Sequence, residues 1–262
     1  MLSLESSIVK STALVYTWCS ARLQVMSASR TARERVRAEL TREITDIARR
    51  QLATEGAAGL SLRAVAREMG MVSSAIHRYF PRRDDLLTAL IIDGYNAIGE
   101  AVEEADAACA RDDFAGRWLA VCRAVRGWAL AHPHEYALLY GSPVPGYHAP
   151  QDTIAPATRD AAVYGRILTD AHRAGELRPP DICPPPPESF AQDAERMRQA
   201  IMKDVPDDVV TRALGAWTAL FGSVSFELFG QFNNVITDRD TFFDHQMTCQ
   251  AQLIGLTVAP RS

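Results

Sequence analysis

Residues 60–87 narrow the fold more than any other stretch of this chain. They read Leu60-Ser-Leu-Arg-Ala-Val-Ala-Arg-Glu-Met-Gly-Met-Val-Ser-Ser-Ala-Ile-His-Arg-Tyr-Phe-Pro-Arg-Arg-Asp-Asp-Leu-Leu87. Ser61 is placed to cap a helix whose apolar residues Leu62, Val65, Ala66 and Met69 recur at i, i+3, i+4 and i+7. Gly70 ends it, because glycine accepts the left-handed backbone of a sharp turn. A second, very short helix is predicted over 73–79, stopped by Pro81. Ala75, Ile76 and Phe80 would face inward, leaving Ser73, Ser74, His77, Arg78 and Tyr79 outward. A helix that buries little and displays donors suits the second helix of a helix-turn-helix, which lies in the DNA major groove.

The flanks support this reading. An amphipathic helix is expected over 31–55, with Val36, Leu40, Ile44, Ile47, Ala48 and Leu52 on one side and closure at Gly56. Arg30, Arg33, Arg35 and Arg37 crowd its start, against the helix dipole, and could meet phosphates as readily as solvent. The net charge of −4 becomes informative once divided: residues 30–87 hold 12 Arg/Lys against 8 Asp/Glu, and residues 88–262 hold 14 against 23. Positive charge is concentrated where nucleic acid would be met.

Taken with its flanks, this stretch resembles the N-terminal DNA-binding domain of the TetR family of bacterial transcriptional regulators. The resemblance is carried by Ser61-Leu-Arg-x-Val-Ala, Gly70 and Ala75-Ile-His-Arg-Tyr-Phe-Pro-x-Arg-x-x-Leu-Leu87, and it covers about residues 31–90. The sequence departs from the common pattern at Val72, where a capping Ser or Thr is usual, and at His77, where a tyrosine is. Ser73 or Ser74 is then expected to supply the hydroxyl to the helix start or to a phosphate. The resemblance implies an all-α protein: a three-helix DNA-binding domain at 30–87, and a larger helical ligand-binding and dimerisation domain at 88–262. Residues 1–29 are either a flexible arm or a mis-assigned start preceding Met26. Ser73, Ser74 and Arg78 are the candidates for base contacts; Ser61, Arg63, His77, Tyr79 and Arg83 are those for phosphates.

Past Pro81, Asp84 and Asp85 suit a first helical turn, and Leu86, Leu87, Leu90, Ile91 and Ile98 line a rod to about residue 109. Further helices are expected over 114–131, in one or two turns at 134–141, and over 157–174, before the proline tract at 179–187. Trp118, Trp128, Tyr136, Tyr140 and Tyr164 are candidate walls of an effector chamber, although aromatics at this spacing also build plain cores. Such walls would favour an apolar or aromatic effector. His132-Pro-x-x-Tyr-x-Leu-Leu-Tyr-Gly141 and Trp217-x-x-Leu-Phe-Gly222 look like the C-terminal domain of one TetR subgroup with a Trp-His-Gly signature, Phe221 standing where the histidine would be.

Two last helices are predicted over 206–233 and 239–256. Val210, Leu214, Trp217, Phe221, Val224 and Leu228, spaced 4, 3, 4, 3 and 4, form a seam for packed helices. Gly215 and Gly222, seven apart, offer a second, flat stripe. The family pairs these helices between subunits, so the seam is the expected homodimer interface and a palindromic double-stranded operator its expected partner.

No Glu-x-x-His pair, nucleophile elbow, phosphate loop or dinucleotide fingerprint is present, so no catalytic residue, metal or cofactor is assigned. Five scattered cysteines show no ligand spacing and fit a reducing cytoplasm. The longest apolar runs are interrupted by Ser, Glu and Gly, and no membrane span is expected. The expected function is a ligand-responsive repressor; the competing reading is a helical dimer that binds a small molecule or protein without DNA.

Overall fold

Helix α1 spans residues 33–59 of a computed structural model that describes residues 33–178, 180 and 184–258; what was expected of 1–29 lies outside them. Ile44, Ile47, Ala48 and Leu52 are buried, but the expected stripe stops short of the first turns: Val36 is 53% exposed and Leu40 is half-buried. The reason is length. A helix of about 40 Å outruns the two short helices it supports.

Ser61 caps α2 (Leu62–Glu68), its Oγ accepting from the Ala64 N–H. Gly70 takes φ +66° with open space around it, so backbone conformation alone calls for glycine there. Helix α3 is shorter than expected, running only from Ser73 to Ile76, and Val72 at its N-cap supplies no side-chain bond. Neither serine replaces that cap. Beyond Ile76 the chain tightens into turns, Arg78 N–H bonding to the Ala75 carbonyl and Tyr79 N–H to that of Ile76, because Pro81 steers the preceding residue away from helix.

Helix α4 (Arg83–Ala107) has 25 residues, about 37 Å of rod. Arg82 and Asp85 close a capping box at its start. Its first turns place Leu86, Leu87, Leu90 and Ile91 in an apolar cluster with Ile44, Val65, Ile76 and Phe80. Farther on, Ile98 and Val102 enter a second cluster with Trp118, Val121 and Tyr164. One helix is therefore a wall of both cores.

The second core is built from α5 (Phe114–Ala131), α6 (Pro133–Tyr140), α8 (Arg159–Arg173), α9 (Ala191–Ala200), α10 (Asp207–Leu228) and α11 (Arg239–Ile254), while the short α7 (Ile154–Ala157) buries no residue. The single helix expected over 157–174 is divided at Thr158 into α7 and α8. Helix α9 is an element beyond those expected: it is strongly polar and only Ala194 is buried. Helix α10 ends at Leu228, before the left-handed Gly230 and Asn234. It is also long and apolar enough to cross a membrane by length and composition, contrary to expectation, with 44% of that window buried. Part of its apolar character belongs to the core it shares with α5, α9 and α11. Among the described residues there is no strand, only an isolated bridge between Leu177 and Leu256.

Where α4 ends, a buried ion cluster joins three helices. Arg117 of α5, with no exposed side-chain surface, donates to Asp106 of α4 (2.7 Å) and to Asp170 of α8 (3.0 Å). Burial opposes ionisation of Asp106, but bonds and charge from Arg117 and Arg111 outweigh it and hold the carboxyl below its ordinary value.

Candidate nucleic-acid interface and effector chamber

The short α3 presents Ser73, Ser74, His77 and Arg78 to solvent, while Ile76 and Phe80 anchor it from below. Tyr79 is half-buried beneath Arg37, whose guanidinium lies 5.2 Å from the ring centroid. Arg37 Nη2 also donates to the Arg78 carbonyl at 3.1 Å. The arginine-rich start of α1 thus meets the end of the short helix. The His77 ring bonds through Nδ1 to the Pro81 carbonyl at 3.0 Å, fixing the imidazole over the turn. Arg63 is exposed at the start of α2, and Ser61 is half-buried as its cap.

Charge on this unit is unevenly spent. Arg49 pairs with Asp46 and Asp93, Arg50 with Glu68, and Arg82 with Asp85. Among the described residues Arg33, Arg35, Arg37, Arg63, Arg67 and Arg78 form no ion pair. Such a surface attracts phosphates.

Arg83 needs a correction. Its Nε donates to the Leu60 carbonyl at 3.1 Å and its Nη2 to the Ala57 carbonyl, with a longer bond to Ala58. These donors are committed to the turn between α1 and α2, so the side chain holds the fold rather than waiting for phosphate.

The expected chamber residues separate into three groups. Trp118 and Tyr136 are wholly internal fasteners, the indole donating to the Met247 carbonyl and the phenol to that of Phe221. Trp128 stacks on His132, 5.3 Å away at an interplanar angle of 24°. Tyr140 and Tyr164 both feel the charge of one buried acidic group. That group is Asp160, in the first turn of α8, which sequence reasoning did not single out. A signal existed: Asp160, Val163, Tyr164, Ile167, Leu168 and Ala171 occupy one helical stripe, and an acid heads an otherwise apolar run.

Between the two cores a cleft of about 450 Å³ lies against Leu52 and Glu55 of α1, His134 and Leu138 of α6, and Pro143 and Val144 beyond. Thr88 and Tyr147 hydrogen-bond at 2.9 Å, joining α4 to the loop after α6. Relative movement of the two units would be felt at these contacts.

The dimer seam also needs revision. Val210, Phe221 and Val224 are buried within the chain's own core, Leu214 and Leu228 are half-buried, and Trp217 is 37% exposed. A partner cannot reach the first three. Helix α10 is apolar on two sides, and periodicity alone does not tell which side faces in. Its open side carries Gly215, Thr218, Gly222, Phe226 and Phe229, spaced 3, 4, 4 and 3, and no atom lies near a Cβ built on either glycine. Bidentate bonds from Arg126 to Glu227 and from Arg123 to Asp244 fix α5 against α10 and α11.

Two family models match this chain. One, described as bacterial regulatory proteins, tetR family, covers residues 44–90; the other, described as tetracyclin repressor-like, C-terminal domain, covers 118–249. HTH-type transcriptional regulator Rv1816 of Mycobacterium tuberculosis (strain ATCC 25618 / H37Rv) is 43% identical over 219 residues, 83% of this chain and 91% of the relative. Regulator Mb1846 of Mycobacterium bovis (strain ATCC BAA-935 / AF2122/97) matches with the same values. A crystal structure of a protein described as regulatory, SCO4313, aligns with a TM-score of 0.68 at 36% identity, over 84% of this chain and 98% of its own. A protein of unknown function from Rhodococcus sp. RHA1 gives 0.60 at 25% identity, over 82% and 93%.

Proposed function

Since the chain belongs to the TetR family of bacterial regulatory proteins and is a transcriptional regulator, we propose that it is a homodimeric, effector-released repressor of a palindromic operator. The observation that carries this reading is the pairing of an exposed α3 with a rod common to both cores: whatever shifts the far end of α4 re-aims Ser73, Ser74 and Arg78. Two reading heads spaced for successive major grooves, about 34 Å apart in the simplest geometry, would lose the operator once that spacing changes.

In this reading Ser73, Ser74 and Arg78 address bases, while Ser61, Arg63, His77 and Tyr79 hold phosphates, with Arg37 added and Arg83 withdrawn. The domain division is 30–87 and 88–262. The subunits pair through the open stripe of α10 and the adjoining face of α11. The regulatory unit is of the Trp-His-Gly type with phenylalanine at the histidine position, a view supported by the meeting of its two motifs where Tyr140 and Phe221 lie 4.5 Å apart. A regulator that acts on chromosomal DNA belongs in the cytoplasm, and that is the location this reading assigns.

The test is selection of binding sites from random duplex DNA by the purified chain. An inverted repeat is expected. If folded protein recovers no common sequence, the reading as an operator-binding repressor fails and the DNA-free binding module takes its place.

A further inference from the structure

Asp160 is 3% exposed, and its Oδ2 receives no hydrogen bond from the described residues. One turn on, Tyr164 is equally buried and its hydroxyl equally unpartnered among them. Tyr95 of α4 and Tyr140 of α6 lie near enough to feel the same acid: burial first, and the Asp160 charge after it, hold both phenols above the ordinary tyrosine range. Trp217 of α10 also acts on it, its indole N–H being one of the influences that oppose the upward push of burial on the Asp160 carboxyl. The rings are in contact. Tyr140 is 6.1 Å from Tyr95 and 4.5 Å from Phe221, Phe221 is 5.2 Å from Trp217, and Tyr164 is 5.3 Å from Trp118.

A buried carboxylate with an unmet acceptor destabilises a core unless something completes it. The backbone N–H groups of the first turn of α8 favour the charged carboxyl against the push of burial. Among the described residues nothing bonds to Oδ2. A carboxylate set among aromatic side chains is the chemistry that recognises an organic ammonium, by ion pairing at one point and by cation–π attraction beside it. We propose that the effector is an arylalkyl amine in its protonated form, which donates to Asp160 Oδ2 within this aromatic cluster. This rests on the second core being the effector domain and names the ligand class it takes. Trp217, partly exposed and bordering the cluster, is the side chain that yields to admit the ligand.

The position explains how occupancy would reach DNA. Arg159, adjacent to Asp160, grips α4 through Glu103 (2.7 and 3.0 Å) and through the carbonyl and side chain of Asn96 (3.1 and 2.9 Å). A ligand that draws the start of α8 inward moves the rod directly.

The test uses the full chain and three probes of one shape, 1-naphthylmethylamine, 1-naphthylmethanol and 1-naphthoic acid, titrated by calorimetry. The amine is expected to bind at least tenfold more tightly than the alcohol, and the acid not at all. Asp160→Asn should bring the amine to the affinity of the alcohol, leave the alcohol within twofold, and raise the Tm of unliganded protein by removing the buried charge. If that variant fails to fold, Tyr164→Phe decides: about fivefold loss for the amine and none for the alcohol. Equal binding of all three probes, preference for the acid, no binding of the amine, or an amine preference that survives these variants overturns the proposal. The titrations contain no DNA, so they pass or fail independently of operator selection.

Discussion

Arg37 Nη2 donates to the carbonyl oxygen of Arg78 at 3.1 Å, so Arg78, the arginine proposed to address bases, is held through its backbone and its guanidinium makes no ion pair among the described residues. Truncating the two residues should therefore have different effects. Arg37→Ala is expected to weaken DNA binding about tenfold, or 1.4 kcal/mol, for matched and mismatched sites alike. Arg78→Ala keeps the carbonyl and should cost about 1–3 kcal/mol of discrimination at one base position. Fluorescence-polarisation titrations at fixed salt distinguish them; an equal loss of discrimination in both would reject the division of labour.

Arg83→Ala is expected to act on stability before it acts on DNA. The guanidinium satisfies carbonyls of Ala57 and Leu60 in the turn that sets α2 against α4. Leaving half-buried carbonyls unmet, with the loss of charge-assisted bonds, should cost about 2–3 kcal/mol in urea unfolding. A loss below about 0.5 kcal/mol with uniformly weaker DNA binding would return Arg83 to the phosphates.

Most of the first domain is legible because its punctuation is local. Ser61, Gly70 and Pro81 end or begin elements by backbone chemistry, and Leu62, Val65 and Ile76 have only one core to face. The second domain is harder to read for three physical reasons. Helix α10 is apolar on two sides, so Val210 and Phe226 look equivalent in sequence although one is sealed in the core and the other is 53% exposed. Helix α9 buries little beyond Ala194, and its polar composition offers few apolar residues to mark it as a packed helix. Asp160 is hard to read because an acid in a first helical turn already satisfies the dipole, and nothing local in the sequence tells that this one is buried.

The Asp106–Arg117 cluster should give the protein an acid-sensitive element. Asp106 is held below its unfolded value, so its contribution is present above the ordinary carboxyl range near pH 4 and is lost as pH falls through the lowered folded value. At neutral pH, Asp106→Asn leaves Arg117 buried with Asp170 as its remaining acid, and should cost about 3–5 kcal/mol. The gap between wild type and variant should begin to narrow below about pH 4, where the unfolded chain takes up the proton first, and close as the folded protein follows at its lower value. Urea midpoints between pH 7 and pH 3 measure this, and a gap independent of pH would show that shape rather than charge makes the difference.

Helix α10 allows subunit pairing to be tested apart from folding, because its two sides answer different questions. Val224 is fully buried inside the protomer, whereas Phe226, two residues on, is 53% exposed on the stripe that includes Gly222. Val224→Asp should unfold the chain, since an unpaired charge in the core costs more than a domain of this size can spare. Phe226→Asp should leave the protomer helical and soluble, yet shift sedimentation at micromolar concentration from dimer to monomer, because two copies related by a two-fold axis would bring like charges together. Operator affinity should then fall at least a hundredfold, a half-site alone lacking the second set of phosphate and base contacts. A Phe226→Asp protein that still sediments as a dimer would move the interface off this stripe, leaving the aromatic exposure of α10 to be explained by another partner.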